Sequence, residues 1–487
     1  VLEELSRRLS RLCSVEIFSD CATVSLVGKG IRTVLHRLGP ALEVFGQRRI
    51  YQISQAADDL NLSFVVESRH AERLVAQFHR QLIPAGIGGD SVFGPTFEQL
   101  FGSERAPEQH KPWWQTRRRE LVELMAGRDC AYVYDLPTVR AAARRLAALD
   151  AVDRVFYSMK ANPHTDVLQA ALEAGFGIGC ASLAEADRAR ALAPGLAPAD
   201  ILLTPSFAPR AEYRQAIAMG LTVTVDSLHI LEHWGEDLSG AAIFLRIDPD
   251  SAPGYHRIAR TAGSNAKFGI PANDLERAID LCAAHGICIR GLHAHTGSGI
   301  MQPANWHRSL EILGAAAARI ATVEVINLGG GLGVPARADE LPLDLAALDA
   351  GLARLRRGLP RPVALWIEPG RYLAAAAGVL LARVTQIKDK GARRYVGVAT
   401  GMNSLIRPAL YGAWHEIVNL SRAGEPGHQV CDIVGPISES ADVFGLDRLL
   451  PTTHEGDILL IANTGAYGAA MASRYNLREP AAEFVLE

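Results

Sequence analysis

The sequence predicts an α/β chain: a (β/α)₈ TIM barrel with a C-terminal β-rich domain, preceded by a small α+β unit. Three observations predict it. Between residues 154 and 368, eight short apolar runs alternate with helical stretches, the pattern of parallel strands joined by helical crossovers. After about residue 395 the helical stretches give way to strand-like runs and turns. Before about residue 85, short β runs alternate with amphipathic helices on a smaller scale. At 487 residues the chain is too long for one core, so it is divided into 1–85, a linker at 86–112, the barrel with its lead-in at 113–395, and the β domain at 396–487.

The first stretch, Val1-Leu-Glu-Glu-Leu-Ser-Arg-Arg-Leu9, enters in mid-helix and begins with Val, so the sequence is expected to be the C-terminal part of something longer. Strands are then expected at 22–27, 50–54 and 62–66, and helices at 31–46 and 71–82. The linker is marked by Pro84-Ala-Gly-Ile-Gly-Gly-Asp90 and Ala106-Pro-Glu-Gln-His-Lys-Pro112, rich in residues that break regular structure. Barrel strands are expected at 154–159, 176–180, 201–204, 221–226, 242–248, 288–295, 323–328 and 363–368. Their C-terminal ends carry Lys160, Asp226, Asp248, His295, Gly329 and Glu368, and barrel chemistry sits at that face.

Composition narrows the task. The formal charge is -3, 48% of the residues are hydrophobic and no basic block occurs, so electrostatics favours neither nucleic acid nor a membrane surface as partner. Seven cysteines at irregular spacing resemble neither a disulfide framework nor a zinc ribbon, which points to a reducing cytoplasm. The longest apolar runs fall short of the roughly 20 residues of a membrane helix, and no signal peptide opens the chain. A small-molecule task fits best.

Lys160 closes the run Arg154-Val-Phe-Tyr-Ser-Met-Lys160 and precedes a turn. A lysine at the end of a buried strand can carry an aldehyde cofactor as a Schiff base; it can equally be an ordinary solvated strand end. Gly291-Leu-His-Ala-His-Thr-Gly-Ser-Gly299 sets two histidines on one face of a strand. They read as a metal pair or, better given the small-residue turn that follows, as a flat ring stacked on a planar cofactor; no metal site is expected. Asn327-Leu-Gly-Gly-Gly-Leu-Gly333 follows a strand and could cradle a phosphate with backbone N–H groups. It has neither the spacing of a dinucleotide site nor the lysine of a Walker loop. Glu368 and Arg371 in Trp366-Ile-Glu-Pro-Gly-Arg371 read as a salt-bridged pair or as a carboxylate facing a pyridine nitrogen.

Two resemblances follow from the motifs. Val24-Ser-Leu-Val-Gly-Lys-Gly30, Ala41-Leu-Glu-Val-Phe-Gly46 and the stretch 53–66 resemble the regulatory ACT domain of aspartate kinases, whose paired modules bind an amino-acid effector such as lysine or threonine. From about 113 onward, Tyr157-Ser-Met-Lys160-Ala-Asn162, Gly291 to Ser298, Gly329-Gly-Gly331, Glu368-Pro-Gly-Arg371, Arg407-Pro-Ala-Leu-Tyr411, Gly435-Pro-Ile-Ser-Glu439 and Gly465-Ala-Tyr467 resemble the pyridoxal-phosphate-dependent decarboxylases of the alanine-racemase-like barrel fold, in particular the diaminopimelate decarboxylases. The two together resemble the C-terminal part of a bifunctional aspartate kinase/diaminopimelate decarboxylase.

The second resemblance implies pyridoxal 5'-phosphate as cofactor and decarboxylation of meso-2,6-diaminopimelate to L-lysine and CO₂, the last step of lysine biosynthesis. It implies that Lys160 carries the cofactor, His295 stacks on its ring and Glu368 binds the pyridine nitrogen. Ser298, Gly329, Gly330, Gly331, Gly370 and Arg371 would hold the phosphate, with Tyr467 nearby. Arg371, Arg407, Tyr411 and Tyr467 would line the substrate, and Glu439 would take its distal amino group. Ser438 stands where the family usually has a proton-donating cysteine, a departure that leaves the donor open because a hydroxyl is a far weaker acid. The segment of Ser438 and Glu439 reaches the active site of a second subunit in that family, which implies a homodimer. A decarboxylase acting on another basic amino acid and a catalytically weakened regulatory homologue are the competing readings.

Overall fold

The computed structural model describes residues 20–27, 50–55, 61–68, 71, 74–75, 111–249, 266–337, 340–391 and 393–487. The chain divides into two compact units, Val1–Gln109 and His110–Glu487.

The first unit holds β1 (Cys21–Val27), β2 (Gln52–Gln55) and β3 (Asn61–Glu67) in an antiparallel sheet of order β1-β3-β2. In β3 the side chains alternate inward and outward, as the pleat requires, so Leu62, Phe64 and Val66 pack with Val24 and Leu74 into one small core. The three expected strands are all present. Of the expected closing helix, Ala71, Leu74 and Val75 are helical; the helix expected at 31–46 lies outside the described residues, as does most of the linker.

The second unit opens with short helices Trp113–Thr116 and Arg118–Leu124 and then β4 (Cys130–Asp135). Asp135 caps the helix Leu136–Ala147 by accepting from the Thr138 N–H at 3.0 Å, with proline in the first turn. The barrel follows: β5 (Arg154–Ser158), β6 (Gly177–Cys180), β7 (Ile201–Leu203), β8 (Thr222–Val225), β9 (Ala242–Asp248), with the short β10 (Ile270–Pro271) beside it, β11 (Cys288–His293), β12 (Val325–Asn327) and β13 (Ala364–Ile367). All barrel pairings are parallel, and β8 pairs with β9, so the eight strands close on themselves. Every one of the eight expected strands is found. Inside, Phe156, Leu202, Phe244, Val325 and Trp366 form an apolar plug, with the Trp366 ring 4.9 Å from Phe156 and 5.2 Å from Phe244. Gly177 and Gly291 make room for it, since a Cβ would come within 2.6 Å of the Phe156 ring at the first and 2.7 Å of the Phe244 ring at the second.

β14 (Gly378–Lys390), β15 (Arg393–Val398), β16 (Ile417–Asn419), β17 (Gln429–Val434), β18 (Val443–Leu450), β19 (Ile458–Ile461) and β20 (Ala482–Leu486) build the second sheet. One boundary differs from expectation. β14 pairs with β4 and β19, and β20 pairs with β4, so both the strand before the barrel and residues 378–390 belong to the β domain rather than to 113–395 as a barrel segment. The chain enters the β domain, leaves it for the barrel and returns. The reason is pairing across more than 240 positions of sequence, Leu381 with Ala131 for example, which no local pattern carries. No helix among the described residues is long and apolar enough to cross a membrane.

Candidate active site

The ends of β5, β11, β12 and β13 meet at the C-terminal mouth of the barrel. β5 runs out through Ser158 into a single 3-10 turn, Met159–Ala161, which lifts Lys160 out of the buried strand and leaves it exposed at the rim. The turn is pinned on both sides. Ser158 donates to the Glu368 carbonyl at 2.9 Å, and the Tyr467 N–H donates to the Ala161 carbonyl at 2.7 Å. Asn162, just beyond, donates to the Gly465 carbonyl at 2.9 Å. The lysine turn is thus held between the barrel and the Gly465-Ala-Tyr467 turn of the β domain.

Glu368, at the end of β13, accepts from His293 Nε2 at 3.0 Å and from Asn327 Nδ2 at 2.9 Å, both on Oε1. Burial by itself would raise its carboxyl, but His293, by its charge and then by its hydrogen bond, and after it the nearby Lys160 and Arg246 charges outweigh burial and hold the carboxyl below the usual carboxylate range. Burial pushes the His293 imidazole down, and Arg246 and Lys160 oppose a further positive charge beside them. The two groups thus form a buried, hydrogen-bonded pair in which the carboxyl is held down by its neighbours and the imidazole by burial.

His295 is also neutral, held well below its ordinary range by burial and then by Lys160 and Arg246. Its Nδ1 accepts the Gly330 N–H at 3.0 Å, so Nε2 carries the proton and the ring orientation is fixed. Neither histidine is arranged with its neighbour as a metal pair: one serves Glu368 and the other the glycine turn.

Gly329-Gly-Gly331 packs between the turns that follow β11 and β13. A Cβ on Gly329 would stand 2.5 Å from the Ala294 carbonyl, on Gly330 2.2 Å from the Glu368 carbonyl, and on Gly331 2.5 Å from the Gly297 carbonyl. Gly329 and Gly331 also have φ of +65° and +94°, which favour glycine. Gly370 opens the short helix Arg371–Ala374, and a Cβ there would press to 2.9 Å on that of Ala161. The Arg371 guanidinium donates to Ser298 Oγ at 3.0 Å and lies over the Tyr467 ring at 5.0 Å. Backbone N–H groups, a hydroxyl and a guanidinium collected around a side-chain-free turn can take an anionic group such as a phosphate. Beside them are a lysine, a flat neutral imidazole and an ionised carboxylate, the donor set a phosphorylated pyridine aldehyde requires, so these residues fit that cofactor.

Arg407 is buried on the helix Arg407–Tyr411, and its charge, like that of Arg371, bears on the buried His415; Tyr411 is half-buried on the same helix. Ser438 and Glu439 follow β17. Both are exposed, on a loop in which Asp442 accepts from the Ile437 and Met402 N–H groups and Asn476 accepts from the Ser438 N–H. Among the described residues, no hydrogen bond or ion pair joins either of them to the barrel mouth. The sequence reading missed His293 and Asn327 as partners of Glu368, and it missed Arg246, a buried guanidinium whose charge faces Asp226, Glu368 and Asp248. The one available signal was a charged residue inside the apolar run 243–247.

The pyridoxal binding domain of pyridoxal-dependent decarboxylases matches residues 137–375, which span the barrel. Diaminopimelate decarboxylase of Escherichia coli K12 is 34% identical over 380 residues, covering 74% of this chain and 89% of that protein. This chain belongs to the diaminopimelate decarboxylase family. The Methanothermobacter thermautotrophicus member is 35% identical over 371 residues, covering 73% of this chain and 86% of its own. Among solved structures, diaminopimelate decarboxylase from Helicobacter pylori, complexed with L-lysine, superposes with a TM-score of 0.69 at 27% identity, covering 76% of this chain and 94% of that one. The family uses pyridoxal phosphate, and Lys160, His293, His295, Ser298, Gly329 to Gly331, Glu368, Gly370 and Arg371 lie within the matched domain, whereas Tyr467 lies beyond it.

Proposed function

We propose that the chain decarboxylates meso-2,6-diaminopimelate to L-lysine and CO₂ with pyridoxal 5'-phosphate held at the barrel mouth. Bound there, the cofactor supplies an electron sink for the charge left on the α-carbon when CO₂ departs. Lys160 carries it, His295 stacks against its ring, and Glu368 faces its pyridine nitrogen. The Gly329–Gly331 turn, Ser298, and the backbone at Gly370 and Arg371 hold its phosphate. Arg371, Arg407 and Tyr411 orient the carboxylate that is retained, with Tyr467 beside the substrate.

The observation that carries this reading is the buried, ionised Glu368. A carboxylate kept charged by two N–H donors at this position stabilises a protonated pyridine, as decarboxylation demands, whereas racemases of this fold place an arginine there. Glu439 takes the distal amino group through a charge-assisted hydrogen bond, and Ser438 stands at the proton-donor position. Both act on the site of a second subunit in a homodimer, a reading supported by their exposure here. The three-stranded sheet at 21–67, with its motif match, supports an ACT module of aspartate-kinase type that senses an amino acid such as lysine or threonine. Irregular cysteine spacing supports a cytoplasmic enzyme.

The test incubates the protein with pyridoxal phosphate and meso-diaminopimelate and follows CO₂ and lysine. Wild type should release both and show a visible absorbance band that borohydride bleaches; Lys160→Ala should lose band and turnover together. A borohydride-reducible band at wild-type stoichiometry in Lys160→Ala, or no CO₂ from the wild type, would sink the reading.

A further inference from the structure

In the roles assigned above His293 touches neither cofactor nor substrate, yet its placement is specific. It ends β11, is 2% exposed, and its Nε2 stands 3.0 Å from Glu368 Oε1. Its other nitrogen, Nδ1, is buried with no hydrogen-bond partner. An orphan nitrogen in the interior costs free energy, and the polar interaction that offsets the cost is the bond to Glu368. A residue needed at this position only for packing would be better apolar, as its neighbours Leu292 and Ala294 are.

The two donors to Glu368 come from adjacent strands, His293 from β11 and Asn327 from β12, which pair in register with each other. Both reach Oε1, so they fix the carboxylate about one oxygen. Asn327 is itself held, because its Oδ1 accepts the Gly329 N–H at 2.9 Å. Beside the other oxygen lies Gly179 of β6, where an added Cβ would stand 3.5 Å from Oε2. One oxygen is tied down and the other is left with space beside it.

We propose that His293 is a positioning residue: its N–H, together with the Asn327 amide, clamps Oε1 of Glu368 so that Oε2 is presented as an acceptor to the ring nitrogen of the cofactor. The proposal rests on the assignment of Glu368 to that nitrogen. It gives the first histidine of His293-Ala-His295 a duty distinct from that of the second, which stacks. Because both donors are needed to hold a buried carboxylate in one orientation and charge state, loss of His293 frees Glu368 to rotate or take up a proton, and the cofactor nitrogen loses its partner without any change in the residues that touch it.

The test loads wild type, His293→Gln, His293→Asn and Glu368→Gln with pyridoxal phosphate isotopically labelled at the ring nitrogen, and reads its NMR resonance and the affinity of the cofactor. A Gln amide nitrogen falls where the imidazole Nε2 sits, and Asn stops one atom short. His293→Gln should keep the ring nitrogen protonated and the affinity within about twofold, whereas His293→Asn should move the resonance toward that of Glu368→Gln and weaken binding about 10-fold. Should His293→Asn not accumulate as folded protein, His293→Leu, which fills the space without a donor, takes its place. Equal resonances and affinities in the variants with and without a donor, whatever their melting temperatures, overturn the proposal. A wild-type ring nitrogen that is unprotonated, or that Glu368→Gln leaves unchanged, overturns instead the assignment of Glu368 on which it rests.

Discussion

Single side chains in this molecule differ in how far their surroundings override their solution chemistry, and His415 is a clear instance. It is 1% exposed, its Nδ1–H donates to the Ala462 carbonyl at 2.8 Å, and Nε2 is buried without a partner. Burial, then the Arg407 and Arg371 charges, holds its pKa down to about 3. The unfolded chain releases that proton near the ordinary value of about 6.5. A depressed folded value means that stability is complete above the unfolded pKa and is lost as pH falls from there toward the folded one. The loss attributable to His415 should reach at most about 1.4 kcal/mol per pH unit across that window. Denaturant unfolding of wild type and His415→Asn between pH 7.5 and 5 checks this: the variant should show the shallower pH slope, and parallel slopes would refute it. At this scale, legibility in sequence depended on neighbours in the chain. Lys160, His295 and Glu368 could be singled out because motifs surround them, and the barrel does bring the ends of their strands together. His293 was readable only as the companion of His295, because its partner Glu368 is far along the chain. Arg246 was missed for the same reason, since Asp226 and Glu368 are brought to it by the barrel.

Elements position these side chains through turns more than through strands. The Gly329–Gly331 turn touches the backbone after β11 on one side and after β13 on the other, so it sets the spacing between His295 and Glu368. Gly330→Ala should drive a methyl group against the Glu368 carbonyl, cost about 1–3 kcal/mol of stability and weaken cofactor binding about 10-fold. Gly195→Ala is the matched control, since nothing lies within 4 Å of a Cβ there. Melting curves of the cofactor-free proteins and pyridoxal phosphate titrations separate the two effects, and a Gly330→Ala protein indistinguishable from Gly195→Ala in both would refute the account. Strand existence was legible here because each buried parallel strand is a short apolar run, whereas strand ends were not. β12 is a case: expected at 323–328, it is found at Val325–Asn327, yet Leu328 N–H still donates to the Trp366 carbonyl at 2.9 Å. The hydrogen-bonding ladder fades gradually, and apolar patterning does not register where it stops.

At the scale of the whole molecule, the β domain is wrapped around the barrel in sequence, entered at β4, left, and re-entered at β14, which ties the lysine turn to the Gly465 turn through Asn162 and Tyr467. The proposed second subunit bears on the site at this scale. Ser438 and Glu439 are exposed, and the segment that braces their loop projects too: Asn476 and Leu477 have φ of +57° and +58°, and Leu477 is 94% exposed. The proposed second copy, covering this loop, would bury that outward-held apolar side chain. If each site takes Lys160 from one chain and Glu439 from the other, two inactive variants should rescue one another. Lys160→Ala and Glu439→Ala, each nearly inactive alone on diaminopimelate, form mixed dimers in which one site carries both changes and the other carries neither. Equal co-expression followed by random pairing should restore about a quarter of wild-type turnover, because half the dimers are mixed and each has one intact site. Tagging the two chains differently and purifying through both tags should raise that to about half per dimer. Mixed dimers that stay inactive would place Glu439 in the same site as the Lys160 of its own chain and remove the reason for a shared active site.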